Sequence, residues 1–221
     1  MHKSKLSHSI IGILLLIGAI SIISCATATQ AQINYPNHPR SILIMPPINQ
    51  SVDIGAPSTF LATAAYPLAE SGYYVLPPTL TTEMFRQNGV TVAEEAHAIP
   101  HSRLHEIFGA DAAIYITITQ YGATYYVITS AVQAYATARL VDLRSGHTLW
   151  SDEVRVTDST SSSSNQQSIL TTLLEAAIDQ VANVLRNRAY DTGRKANQQL
   201  LTAGRERGLM YGPYHPEFDT E

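Results

Sequence analysis

The sequence has 221 residues, with 14 basic and 18 acidic side chains and a net charge of −4 at pH 7. A mildly acidic chain argues against nucleic acid as a partner, because nucleic-acid binding depends on clustered basic side chains. Cys25 is the only cysteine, so no intramolecular disulfide can form and the fold must rest on its apolar core.

Residues 1–24 have the pattern of a secretory signal, with a basic start, a short apolar run and small residues at its end. The ending Ile22-Ile23-Ser24-Cys25 is similar to a lipobox, in which the cysteine thiol takes the lipid. The apolar run is shorter than the about 20 residues that span a bilayer, which disfavours an uncleaved anchor. We therefore predict lipidation of Cys25, with a plain secretory signal cut at another small residue as the alternative.

The residues after Cys25 indicate how the lipoprotein is sorted and tethered. Proteobacterial lipoproteins kept in the inner membrane usually have Asp after the cysteine, whereas this chain has Ala26, and this resemblance implies sorting to the outer membrane. Residues 25–40 are small, polar and broken by prolines, as in a flexible tether. Removal of residues 1–24 takes away two lysines, so 12 basic side chains remain against 18 acidic ones, a net charge of −6.

The first half of the remaining chain alternates short strands and helices. We predict strands over 41–45 and 73–76, a brief edge strand over 90–92, and helices over 59–70, 79–88 and 101–108. Ser58 is the expected N-cap of the first helix, and Pro67 is expected to kink that helix or end it early. Leu104, Ile107 and Phe108 are expected to face inward from the third helix.

The second half predicts three consecutive antiparallel strands. Residues 113–120 alternate Ile114, Ile116 and Ile118 with polar side chains, which indicates a half-buried strand, and Gly122 is expected to turn it. A bent β-rich stretch over 125–143, a hairpin turn over 142–147 and a strand over 148–157 follow. The run over 158–164 is interpreted as a low-complexity loop.

The best helix of the chain is predicted over 165–190. Apolar residues recur there at spacings of three and four and make one face that can cover the sheet: Leu170, Leu173, Leu174, Ala177, Ile178, Val181 and Leu185. Gly193 is expected to end this helix, and a second helix is expected over 194–203. The fold class is therefore α/β with α+β character, a mixed sheet with an antiparallel C-terminal meander covered by helices. We assign one domain to 41–203 and an aromatic, proline-punctuated tail to 204–221.

No catalytic or metal-binding pattern stands out in the sequence. His101 and His105 are four apart on a predicted helix, which places them on one face, but two ligands do not make a zinc site. The serine run over 161–164 has no G-x-S-x-G context and no paired base. Glu94-Glu95 and Asp152-Glu153 are interpreted as solvated charges. The sequence contains no glycine-rich nucleotide-binding motif, so we predict no cofactor, no metal and no catalytic residue.

Two features are candidates for a partner or ligand surface. The 46–57 loop is long for a compact domain, and its candidate contact residues are Pro47, Asn49, Gln50 and Asp53. Tyrosines are the second candidate, because aromatic residues are enriched at interfaces; they are Tyr121, Tyr125, Tyr126 and, in the tail, Tyr211 and Tyr214. The alternative is that these tyrosines cover the sheet and that the tail folds back on the domain.

Several stretches resemble a family of bacterial lipoproteins of unassigned function. They are the lipobox, Ser41-Ile42-Leu43-Ile44-Met45-Pro46-Pro47-Ile48-Asn49, Pro67-Leu68-Ala69-Glu70-Ser71-Gly72-Tyr73-Tyr74-Val75 and Tyr211-Gly212-Pro213-Tyr214-His215-Pro216. The family is similar in fold to the N-terminal domain of TolB and, more distantly, to CsgG and to LpoB-type activators of penicillin-binding proteins. The resemblance implies a periplasm-facing, outer-membrane-anchored α/β domain that acts through protein contacts, and it implies no catalytic residue.

The leading hypothesis is a non-enzymatic envelope lipoprotein, an accessory or assembly component that binds another envelope protein or a second copy of itself. The main alternative is a small-molecule or glycan-binding module that uses the 46–57 loop. A weaker alternative is a hydrolase with an unrecognised site. Buried polar groups clustered beneath the loop would favour the ligand-binding module, whereas an exposed tyrosine-rich patch would favour protein contacts.

Overall fold

The computed structural model describes residues 38–125, 129–161, 174–206 and 208–218, all within one unit over 37–221. The predicted signal, Cys25 with most of the tether, and the 165–173 part of the predicted helix lie outside the described residues. The elements in chain order are β1 (Ser41–Ile44), β2 (Ile48–Asn49), α1 (Ala56–Glu70), β3 (Tyr74–Val75), α2 (Pro78–Gln87), α3 (Ala93–His97), α4 (His101–Phe108), β4 (Ala112–Tyr125), β5 (Thr129–Asp142), β6 (Thr148–Ser161) and α5 (Leu174–Leu201).

One mixed sheet organises these elements. Its strand order is β3-β1-β4-β5-β6, and β2 pairs with β4 beyond the end of β1. β1 runs parallel to β3 and β4, with Leu43 opposite Ala113, whereas β4, β5 and β6 form an antiparallel meander. The predicted fold class is therefore confirmed, including the C-terminal meander and the hairpin between β5 and β6.

The alternation of side chains along β4 divides the core into two layers. Ile114, Ile116 and Ile118 are fully buried in the larger cluster, which also contains side chains of α1 and α5. Tyr115 points to the opposite face and joins Leu104 of α4 in the second cluster. A fully buried large apolar side chain contributes about 1.5–3 kcal/mol, so the two layers supply the main stabilisation of the sheet.

β4 continues through Gly122 to Tyr125, so the turn expected at Gly122 is wrong. A β-bulge between Ile118 and Gln120 shifts the register and exchanges the inward and outward positions. The alternation of apolar and polar residues is therefore broken at the bulge, and the sequence pattern does not show that the strand continues. β5 and β6 are equally long at 14 residues each. β6 therefore includes residues 158–161 of the run expected to be a loop, whose other residues lie outside the described part.

α1 begins before Ser58, its expected cap, with Gly55 at the N-cap position and Pro57 in the first turn. Proline is tolerated there because the N–H that it lacks would have no helical partner. Pro67 does not end the helix, which runs on for three more residues. The packing of Leu68, which is fully buried, holds the last turn against the sheet despite the missing backbone hydrogen bond.

The segment after α2 contains a helix instead of the expected edge strand. Residues 90–92 are not in a strand, and Val92 is the N-cap residue of α3. A helix of this length shows too few turns for its apolar period to be read. α4 has its predicted bounds, but Ile107 is 41% exposed whereas Leu104 is fully buried, because only one narrow side of this short helix meets the sheet.

α5 is one continuous helix where two helices were expected on either side of Gly193. A Cβ at Gly193 would lie 2.8 Å from Thr59 Cγ2 and 2.9 Å from Tyr121 Cε2. The glycine therefore serves the close approach of α5 to α1 and β4, and it does not end the helix. Asn197 strengthens the same contact, because its Nδ2 donates to the Phe60 carbonyl at 2.8 Å.

The C-terminal segment 208–218 folds back on the corner between α1 and β3. Leu209 is buried at 1% exposure. The Tyr73 hydroxyl donates to the Met210 carbonyl at 2.8 Å, and the backbone N–H of Gly212 donates to α1's C-cap residue at 2.7 Å. Apolar burial and backbone hydrogen bonds therefore hold this segment on the folded unit.

Candidate functional site

Pairing between β2 and β4 places the 50–55 loop beside the middle of β4. The Gln50 N–H donates to the Ile118 carbonyl at 2.8 Å, which fixes the start of the loop. Further along, Asp53 lies against Gly122, where a Cβ would be 3.0 Å from Asp53 Oδ2. The loop is therefore held to the sheet at two points.

Hydrogen bonds inside the loop engage the side chains of Asn49, Ser51 and Asp53. Asn49 Nδ2 donates to the Asp53 carbonyl at 2.9 Å, and Asn49 Oδ1 accepts from the N–H and the hydroxyl of Ser51 at 3.0 and 2.7 Å. Asp53 Oδ1 accepts from the Gly55 N–H at 2.8 Å. Asn49 and Asp53, two of the predicted contact residues, thus hold the shape of the loop through an Asx-type arrangement.

Two apolar side chains project from this fixed loop into solvent. Val52 is 99% exposed and Ile54 is 95% exposed. Of the other predicted contact residues, Gln50 is exposed and Pro47 is buried. The exposure of Val52 and Ile54 does not stabilise the fold, because neither side chain is buried. The hydrogen bonds of Asp53, which lies between them, hold the loop in one conformation. An apolar pair held in this way is suited to contact with another surface. We call these two side chains the Val52–Ile54 tip.

Sequence reasoning missed the Val52–Ile54 tip because it weighted the polar residues of the loop. The available signal was the presence of two isolated, large apolar residues within a polar segment bounded by prolines. Such residues belong either to a core or to a contact surface, and only the fold distinguishes the two.

The predicted tyrosines are distributed between the core and the surface. Tyr121 is buried, and its hydroxyl donates to Thr59 Oγ1 at 3.0 Å. Tyr211 is half-buried and stacks on His215, with 4.1 Å between ring centroids. The side chain of Tyr125 and all of Tyr126 lie outside the described residues.

Two exposed tyrosines belong to segments that meet at the α1–β3 corner. Tyr214 is 67% exposed, and its N–H donates to the Gly72 carbonyl at 3.0 Å. Tyr74 lies in the edge strand β3, two residues after Gly72, and is 60% exposed. Aromatic side chains placed in this way match the composition of protein interfaces.

Polar and aromatic side chains surround Tyr115 beneath α3 and α4. The Arg139 guanidinium lies 4.4 Å from the ring centroid of Tyr115, and the His97 and His101 rings meet it edge-on at 4.9 and 6.1 Å. His97 Nε2 lies 2.8 Å from the Pro46 carbonyl, to which it donates when it carries the proton. Burial lowers the pKa of His97 and raises the pKa of Tyr115, so both side chains are neutral at pH 7.

His101 and His105 do not converge on a common point. His105 Nδ1 lies 2.7 Å from the Ala110 carbonyl, just beyond the end of α4, whereas His101 faces Tyr115. In the part of the chain that the structure describes, no group of three or more His, Cys, Asp and Glu side chains could hold a metal ion. The two histidines therefore have structural contacts in place of a shared ligand.

The paired acidic residues lie at the surface. Glu94-Glu95 is exposed in α3. Glu153 pairs with Arg155 at 3.2 Å, and its N–H donates to Asp152 Oδ1 at 2.8 Å. Asp152 also lines a shallow cleft with Arg205, Glu206 and Gly208.

A helix that crosses a membrane must be both long and apolar. Across the described ranges, none of the helices has the length and apolar character needed to cross a membrane.

Comparison with solved structures defines the class of protein. The crystal structure of lipoprotein GNA1162 from Neisseria meningitidis matches with a TM-score of 0.54 and 43% identity, over 66% of this chain and 99% of that chain. The C-terminal domain of LpoB from Escherichia coli is a remoter likeness, with a TM-score of 0.38 and 14% identity over 56% of this chain and 87% of that chain. The fold is that of a bacterial lipoprotein domain.

Sequence comparison gives the family. The family model described as "Putative lipoprotein GNA1162-like" matches residues 33–214. A protein of Neisseria meningitidis serogroup B (strain ATCC BAA-335 / MC58), named "Putative lipoprotein NMB1124/NMB1162", is 41% identical over 175 residues, which are 79% of this chain and 80% of that protein. The chain belongs to the GNA1162-like lipoprotein family, and the family resemblance noted in the sequence is confirmed.

Proposed function

We propose that this chain is a lipid-anchored, periplasm-facing lipoprotein of the outer membrane that has no enzymatic activity and acts by binding another envelope protein. The observation that carries the proposal is the Val52–Ile54 tip, an almost fully exposed apolar pair on a loop fixed by hydrogen bonds. Family membership supports the lipid anchor, and the sequence around Cys25 and Ala26 supports the site of lipidation and the sorting.

The state of the loop's polar groups favours a protein partner over a small molecule or a glycan. A ligand pocket needs convergent polar groups that are free to bind. Here Asn49, Ser51 and Asp53 bond to one another and to the loop backbone. The two side chains that project furthest from the loop, Val52 and Ile54, are apolar, as is an anchor that fills a pocket on a partner.

The tip is large enough to matter energetically. Burial of a Val or Ile side chain contributes about 1.5–3 kcal/mol. Loss of both side chains would therefore weaken a complex by about a hundredfold or more. Because both side chains are almost fully exposed in the free protein, their truncation leaves its own core unchanged.

Site-specific photo-crosslinking in cells tests the partner-binding role. A photoreactive amino acid is placed at Ile54 of the full-length lipoprotein and, as a matched control, at Leu80, which is 64% exposed on α2. We expect one dominant envelope protein to be crosslinked from position 54 and not from position 80, and we expect Val52→Ser to reduce its yield. Equal recovery from both positions, or no product from position 54, would contradict the proposal.

The anchor is tested separately by metabolic labelling with palmitate and membrane fractionation. Cys25→Ser is expected to abolish the label and to release the protein from the outer-membrane fraction. Ala26→Asp is expected to keep the label and to move the protein to the inner-membrane fraction. A labelled, membrane-bound Cys25→Ser variant would show that the lipid is not attached there.

A further inference from the structure

β6 is the outer strand of the sheet, and none of the described strands pairs with its outer edge. The direction of its backbone groups follows from one hydrogen bond, in which the Glu153 N–H donates to Asp152 Oδ1 at 2.8 Å. An N–H that a side chain caps in this way points away from β5, and strand geometry gives Arg155 the same direction. The backbone groups of Glu153 and Arg155, on either side of Val154, therefore point away from β5 at the outer edge of β6.

The charges beside that edge have a self-complementary order. Glu153 and Arg155 lie on the same solvent-exposed face, 3.2 Å apart, with their side chains 60% and 68% exposed. If a second β6 strand pairs antiparallel and is centred on Val154, Glu153 lies opposite Arg155 of the second copy, and the two-fold axis repeats the pair. The neighbouring registers that keep the same faces together place like charges opposite each other, which is unfavourable.

We propose that two copies of this chain associate by antiparallel pairing of their β6 strands about Val154, which joins the two sheets into one. The Glu153 N–H then exchanges the Asp152 carboxylate for the Arg155 carbonyl of the second copy. Val154 is only 8% exposed and Val156 is half-buried, so a second copy continues the covered face of the sheet at this rim. The contact is isologous, as in most homodimers.

Charge also explains why the partner is a second copy and not an arbitrary strand. Charged side chains along an outer strand disfavour pairing with unrelated strands, which protects the edge against aggregation. A strand with the opposite charge order in antiparallel alignment escapes this penalty, and β6 itself has that order. This surface is separate from the Val52–Ile54 tip, so the two proposals stand or fall independently.

Disulfide trapping in the full-length lipoprotein tests the register. Cys25 is the only natural cysteine and is proposed to be lipidated, so an added cysteine is the single free thiol. Opposed residues of an antiparallel pair have Cβ atoms about 4.5–5.5 Å apart, so Val154→Cys is expected to give a covalent dimer under mild oxidation. Thr157→Cys is the control, because its counterparts in the two copies are about 20 Å apart in this register. Equal crosslinking at both positions, or none at position 154, would overturn the proposal.

Charge exchange gives a second test that does not alter the core-facing Val154. In detergent solution, Glu153→Arg alone and Arg155→Glu alone are each expected to weaken association about tenfold by sedimentation equilibrium. The double exchange, Glu153→Arg with Arg155→Glu, restores both pairs and is expected to restore the wild-type constant. A wild-type chain that stays monomeric, or a double variant as weak as the single ones, would overturn the proposal.

Discussion

Gly193 of α5 lies directly against the ring of Tyr121 on β4. A Cβ at Gly193 would be 2.9 Å from Tyr121 Cε2 and 2.8 Å from Thr59 Cγ2, closer than ordinary van der Waals contact. The Tyr121 hydroxyl in turn donates to Thr59 Oγ1 at 3.0 Å. The absence of a side chain at Gly193 thus allows α5, α1 and β4 to meet at one point.

Gly193→Ala is expected to destabilise the protein, which is the opposite of the usual effect in a helix. Alanine in a helix interior is about 1 kcal/mol more favourable than glycine. Overpacking at a close contact costs about 1–3 kcal/mol, and here it outweighs that gain. Urea unfolding measures the difference, with Gln199→Ala on the exposed side of α5 as the control. A midpoint at or above the wild-type value would show that the contact is not close in solution.

Asp111 is expected to stabilise the point where the tether enters the domain. Its Oδ2 accepts from the N–H groups of Arg40 and Ser41 at 3.0 and 3.2 Å and from the Ser41 hydroxyl at 3.1 Å, and Arg144 lies 2.9 Å from its Oδ1. Asp111→Asn is expected to lower the free energy of unfolding at pH 7 by about 1–3 kcal/mol. Glu95→Gln, an exposed carboxylate, is the control and is expected to change it by less than about 0.5 kcal/mol.

The same carboxylate predicts an acid dependence. Burial by itself raises the pKa of Asp111, but the hydrogen bonds from Arg40 and Ser41 and the charge of Arg144 lower the pKa below its ordinary value. Its contribution to stability is therefore complete above the unfolded pKa of about 3.9 and is lost as the pH falls through the folded pKa. Asp111→Asn is expected to reduce the loss of stability below pH 4. An unchanged acid profile in the variant would contradict this assignment.

His97 is expected to make stability depend on pH in a higher range. Burial lowers the pKa of His97, and the hydrogen bond to the Pro46 carbonyl opposes this only in part. The contribution is present above the unfolded pKa of about 6.5 and is lost as the pH falls towards the folded pKa. His97→Gln is expected to lose less stability than the wild type between pH 7.5 and 5.5 in urea unfolding. His147→Gln, which makes the same substitution at an exposed position, is the matched control.

The elements that could be predicted from sequence are those encoded locally. α4 begins after Pro100 and ends at Gly109, whose φ of 67° suits the end of a helix, and both signals lie in the sequence itself. Gly193 is also a glycine, but a glycine is needed there because residues far away in the chain lie close to it. A rule based on local sequence therefore wrongly predicts that the helix ends at Gly193. The bulge after Ile118 likewise depends on pairing with β5, which periodicity along β4 alone does not contain.

The candidate site likewise has some features that local sequence predicts and others that depend on the folded structure. Asn49 and Asp53 could be chosen from sequence because polar residues in a long loop are recognisable as a type. Their actual use, in holding the loop shape, depends on hydrogen bonds within the folded loop. The exposure of Val52 and Ile54 depends on the same bonds, so the apolar tip became visible only with the fold.

The segment after α5 is expected to be part of the cooperative fold. Leu209 is 1% exposed within the larger apolar cluster, and the Met210 carbonyl accepts from the Tyr73 hydroxyl at 2.8 Å. Leu209→Ala is expected to lower the free energy of unfolding by about 2–5 kcal/mol through lost burial and a residual cavity. Leu80→Ala removes the same atoms from a side chain that is 64% exposed and is expected to cost less than about 0.5 kcal/mol. Equal urea midpoints for the two variants would show that the segment unfolds separately from the sheet.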